Sequence, residues 1–172
     1  MFRQIICVLL TLVLWSCNTT TSEEKTETIQ NPTMNRSAFY GVWQAVALKV
    51  TMNSTSEIPD SMEVFEVNEQ QWEKLLSVKP VLTYFYPDST YKQEFRNING
   101  EVYDTIKGLW NIVDERLLLL TPEAIYRYNI SLKNGMSEYN TVLDWDGDGI
   151  EDDLYFSTQR LISNNPYERY RD

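Results

Sequence analysis

The chain has 172 residues, with 25 acidic against 15 basic side chains, a net charge of −10 and no histidine. That length favours one domain once tails are removed, and so acidic a surface repels polyanions, which excludes a nucleic-acid interface. The lack of histidine removes the commonest general base and the commonest transition-metal ligand. Hydrophobic residues make up 42%, with eleven Tyr and five Trp, so a real core is possible and the balance leans toward strands.

Residues 1–16 read MFRQIICVLLTLVLWS. Arg3 supplies a positive start, and Ile5 to Trp15 is an apolar run too short to span a bilayer as a helix. This is the shape of a secretory signal peptide. Leu14-Trp15-Ser16-Cys17 resembles the lipobox of bacterial lipoproteins, with Leu at the third position before Cys and a small residue just before it. The resemblance implies that Cys17 becomes the lipidated N-terminus of the mature chain, a palmitate-type anchor in the outer membrane, facing the periplasm or the surface. Cys7 then leaves with the leader and Cys17 carries lipid, so no thiol remains for a disulfide, a nucleophile or a thiolate metal site. Residues 17–36 are polar and read as a flexible tether. A single domain is expected over residues 37–161, with a C-terminal tail at 162–172.

Within that domain Phe39 to Val50 is apolar on both parities, and its β-branched content with Gly41 favours a strand. Thr51 to Glu66 is a polar excursion. Asn68 and Gln71 have capping-box spacing, and Trp72, Leu75 and Leu76 make one apolar stripe, so a helix is expected from Glu69 to Val78. Pro80 discourages its continuation. From Val81 the pattern has period two: Val81–Tyr86, Thr90–Asn97, Glu101–Val113, Leu117–Thr121, Ile125–Leu132, Met136–Leu143 and Asp153–Ser157. Asn99-Gly100 and Asn134-Gly135 are hairpin signals of the type I′ kind. Consecutive hairpins predict a mainly β meander that closes into a barrel and so removes exposed edges.

Gly41-Val42-Trp43 and Gly108-Leu109-Trp110 each resemble the G-x-W element of lipocalins. The order of strands and turns over Ser37 to Leu161 is similar to lipocalin-like domains of bacterial lipoproteins. The resemblance implies an antiparallel up-and-down, lipocalin-like, eight-stranded β-barrel with one short helix, and a cavity for a small apolar or lipid-like ligand. Candidate ligand contacts are Trp43, Tyr84, Tyr86, Phe95, Trp110, Tyr126 and Tyr128, with Tyr91 on the same strands. The same aromatics could instead fill the barrel, because both arrangements want inward aromatic residues. A filled barrel would make the domain a structural or interaction module of the envelope.

Asp144 to Asp153 reads DWDGDGIEDD. Asp144, Asp146 and Asp148 have the one-three-five spacing of Asp-rich calcium loops, with a glycine at position six. The Ile150 backbone carbonyl and Asp152 follow at positions seven and nine. Position twelve is Tyr155, and the flanking patterns are strands, so this is not an EF-hand. Crowded carboxylates repel without a counter-charge, and a structural Ca2+ that staples a hairpin is the expectation. No Gly-x-Ser-x-Gly, Ser-x-x-Lys or Gly-rich phosphate loop occurs. The expected protein is therefore a monomeric binding protein, not an enzyme, anchored to membrane through its N-terminal lipid.

Overall fold

The computed structural model describes residues 34–53 and 62–168. The expected signal peptide, Cys17 and the tether up to residue 33 lie outside the described residues.

Among the described residues nine strands form one antiparallel sheet. They are β1 (Gly41–Met52), β2 (Glu63–Asn68), β3 (Leu82–Phe85), β4 (Thr90–Arg96), β5 (Val102–Val113), β6 (Arg116–Leu120), β7 (Ile125–Lys133), β8 (Met136–Leu143) and β9 (Asp153–Ser163). β1 pairs with β9, which closes β1 and β3 to β9 into an eight-stranded up-and-down barrel. β9 runs beyond the expected Ser157, through Leu161 and Ser163, to make that closure.

β2 begins inside the expected polar excursion, at Glu63, and runs past it to Asn68. β3 covers only Gly41–Gln44 of β1, and β2 covers Ala47–Met52 on the same edge. The register of β1 against β9 shifts between Ala45 and Ala47. Such a bulge changes which parity faces inward. Ala45 lies opposite Gln159 below it, and Leu48 and Val50 lie opposite Ser157 and Tyr155 above it. This is why β1 is apolar on both parities.

The helix α1 is shorter than expected, Trp72–Leu76. Asn68 Oδ1 accepts from the Gln70 and Gln71 N–H groups, so the expected cap forms, but it closes a turn ahead of the helix. Ser77 takes φ +56°, and Val78 leaves to bridge Asn97. The two hairpin signals also divide. Asn134 and Gly135 both have positive φ, as a type I′ turn requires, and so do Asp114 and Glu115. At Asn99-Gly100 only the glycine does; Asn97 Oδ1 instead accepts from the N–H of Asn99 and of Glu101 and organises a wider loop.

One end of the barrel is sealed. A 3-10 turn, Arg36–Phe39, delivers the fully buried Phe39, which stacks on Trp43 with centroids 5.4 Å apart. Phe85 lies 4.8 Å from Trp110, and Leu117, Leu119 and Ile130 complete this floor. Trp43 Nε1 donates to the Phe39 carbonyl at 2.8 Å and Trp110 Nε1 to the Tyr86 carbonyl at 3.0 Å. The Arg36 guanidinium stands 4.4 Å from the Trp110 ring centre and donates to Ser89 Oγ. Both G-x-W glycines are required by close approach. A Cβ on Gly108 would meet the Leu120 carbonyl oxygen at 2.0 Å, and one on Gly41 the Ser163 carbonyl oxygen at 2.2 Å.

Candidate functional site

The other end of the barrel is hollow. A cavity of about 420 Å³ opens there. β1 lines it with Ala45 and Leu48 across the bulge, β4 with Gln93 and Phe95, and β5 with Ile106. β7 adds Tyr126 and Tyr128, and β9 adds Tyr155, Ser157 and Gln159. Trp72 of α1 and Val81 close one side, and Leu143, Asp144 and Trp145 stand at the other. The volume falls in the range of small-molecule pockets, roughly 300–1,000 Å³.

The residues expected to touch ligand separate into three places. Phe95, Tyr126 and Tyr128 line the cavity. Trp43 and Trp110, with Tyr91, are packed into the sealed floor. Tyr84 and Tyr86 are on the outer face: Thr83 and Phe85 take the inward positions of β3, and strand alternation turns their neighbours out. There Tyr84 is covered by Val42 and Leu82, and its hydroxyl donates to Glu94 at 2.8 Å. Tyr86 packs against Tyr167 of the C-terminal segment. Sequence reading did not assign Trp72, Trp145, Tyr155 or the polar Gln93, Ser157 and Gln159 to the interior. Gln93 shares the parity of Tyr91 and Phe95, so period two alone turns it inward, whereas Gln159 lies beyond the expected end of its strand and only register places it inside.

Burial raises the phenol pKa of Tyr128 and of Tyr155, and pushes Tyr91 up to about 12. The Tyr128 and Tyr155 phenols of the cavity therefore stay neutral across the ordinary pH range.

The acidic stretch forms the β8–β9 connection at the mouth of this cavity. Its organising residue is Asp153, whose side chain is fully buried. Asp153 Oδ2 accepts from the Trp145 N–H at 2.7 Å and the Asp146 N–H at 3.3 Å, and Oδ1 from the Asn53 N–H at 3.3 Å. These bonds fix the start of the loop, and the Trp145 ring lies 6.0 Å from that of Tyr155. Asp144 accepts from the Gly147 and Gly149 N–H groups at 2.8 and 3.0 Å.

Asp144, Asp146 and Asp153 bring carboxylate oxygens within 4.8 Å of one another. The expected ligand set was Asp144, Asp146, Asp148, Ile150 and Asp152. Asp153 belongs to the cluster, whereas Asp148 accepts from the Ile150 N–H at 2.8 Å and the Ile150 carbonyl accepts from the Asp152 N–H at 3.1 Å. These short-range turns point the middle of the loop along itself, and β9 carries Asp153 back to its base. Local desolvation raises the pKa of the exposed Asp146, and the negative charges of Asp148, Asp153 and Asp144 add to the rise. Three converging carboxylates suit a hard cation with oxygen ligands.

No protein-family model matches the chain, and no curated protein sequence matches it.

Proposed function

We propose that this chain is a lipid-anchored envelope lipoprotein whose barrel holds a small, largely apolar ligand and performs no chemistry on it. The observation that carries the reading is the half-hollow barrel. The floor is packed with large aromatics, while the same strands leave about 420 Å³ at the mouth. A barrel serving only as an interaction module has no need of that space, so the cavity favours ligand binding over the filled-barrel alternative. Within the same proposal, Asp144, Asp146 and Asp153 hold a structural Ca2+ that fastens the β8–β9 loop over the mouth. Cys17 supplies the anchor, as the lipobox resemblance implies.

The test is native mass spectrometry of the protein purified from its own membranes. A reproducible small-molecule adduct that leaves on denaturation is expected. Protein of bare mass from every preparation, with no change on adding extract of the same membranes, would refute the binding reading.

A further inference from the structure

We propose that the cavity selects an organic cation: a small molecule with an apolar body and a protonated or quaternary amine head. This rests on the reading that the barrel holds a small ligand, and adds the sign of that ligand's charge.

The first support is the charge of the wall. Among the described residues, none that lines the cavity is Lys or Arg, and the single carboxylate there is Asp144 at the mouth. The Asp146 and Asp153 carboxylates stand within 4.8 Å of it. Even with Ca2+ held there, three carboxylates against one dication leave the mouth net negative, so a carboxylate or phosphate head entering here would lose water and meet no cationic side chain in the wall.

The second support is the arrangement of rings. Trp145, Tyr155 and Tyr128 form a continuous run, with centroids 6.0 and 5.7 Å apart, and Tyr126 and Trp72 border the same space. The faces of such rings attract a cation within about 6 Å of the centroid, most strongly where water is excluded. Burial keeps the Tyr128 phenol neutral, so these walls offer ring faces and hydroxyls, which an apolar body and an ammonium head both accept.

The third support is an unpaired acceptor. Gln159 Oε1 is buried at the wall with no hydrogen-bond partner. An ammonium or amine N–H would satisfy it; a carboxylate could not. The fully buried-side indole Nε1 of Trp72 also lacks a partner, and offers one donor to a hydroxyl or ether of the ligand body.

The test compares three probes with one phenylbutyl body and different heads: primary ammonium, carboxylate and hydroxyl. Binding to the full lipidated chain in nanodiscs is measured by calorimetry, with empty nanodiscs as the blank. The cation is expected to bind at least tenfold tighter than the carboxylate, with the alcohol between them. Equal or tighter binding of the carboxylate overturns the proposal and leaves ligand binding intact. Binding of none of the three counts against the binding reading itself. Gln93→Lys places an ammonium in the wall and is expected to reverse the order of cation and carboxylate; Gln159→Lys does the same if the first variant does not fold. An unchanged order in a folded variant places the probes elsewhere and overturns the assignment.

Discussion

Asp153→Asn isolates the contribution of one buried carboxylate with almost no change of shape. In the native protein this side chain accepts three backbone N–H groups, from Trp145, Asp146 and Asn53. Asparagine keeps one acceptor oxygen, which can serve one side of the site. Its NH2 must then face donors on the other side, so one or two charge-assisted bonds are lost. Hydrogen bonds to charged groups contribute about 1.5–3 kcal/mol each. The two bonds at 3.3 Å belong at the weak end of that range. A loss of about 2–4 kcal/mol follows, which for a domain of this size lowers Tm by roughly 8–15 °C. The assay is urea and thermal unfolding with a chelator present, so that no bound ion contributes. A variant within about 0.5 kcal/mol of the parent would refute the claim that Asp153 holds the base of the loop.

Four further outcomes are expected. Gly108→Ala drives a Cβ into the Leu120 carbonyl at 2.0 Å, and should lower stability by about 2–4 kcal/mol in urea unfolding; a neutral substitution would show that β5 and β6 can separate freely. At Glu94 burial pushes the carboxyl pKa up, but the hydrogen bonds from Lys92 and Tyr84 and the charges of Lys92 and Arg96 outweigh it, leaving a net lowering from 4.5. Its stabilisation is therefore present above pH 4.5 and lost as pH falls through the lower folded value, so Glu94→Gln should flatten the acid limb of stability against pH. Asp146 has the opposite sign: its raised pKa means stability lost as pH rises through the folded value. Asp146→Asn should thus raise Tm of the chelated protein at neutral pH while abolishing the rise that Ca2+ gives the parent; a parent indifferent to Ca2+ removes the ion from the proposal. Cys17→Ala should move the protein from the membrane to the soluble fraction, and unchanged membrane retention would contradict the lipid anchor.

Much of the barrel is legible because its hairpins are short and its turns carry their own chemistry. Asn134-Gly135 announces a turn that needs positive φ twice, and Tyr128, Ile130 and Leu132 alternate with Arg127, Asn129 and Ser131 as a half-buried strand must. The closing half of β9 is not legible, because past Ser157 it continues through Gln159, and a polar side chain facing a cavity looks like one facing water. Nor is the bulge of β1, since no residue type marks it and its effect is to blur the parity that would reveal it. At the candidate site, spacing identifies Asp144 and Asp146 but passes over Asp153. Six acids in ten residues give no sign of which one is buried; that is decided by where β9 resumes.

The four tryptophans among the described residues are unevenly placed. Trp43 and Trp110 are sealed in the floor, each with its indole N–H bonded to a backbone carbonyl. Trp72 borders the cavity with its N–H unpartnered, and Trp145 stands at the mouth with 43% of its surface open. The protein thus carries two built-in fluorophore pairs with different duties. The floor pair emits from a fixed environment until the whole barrel unfolds. The mouth pair meets whatever enters, so occupancy and loop closure can be read as a spectral shift without labelling a single residue.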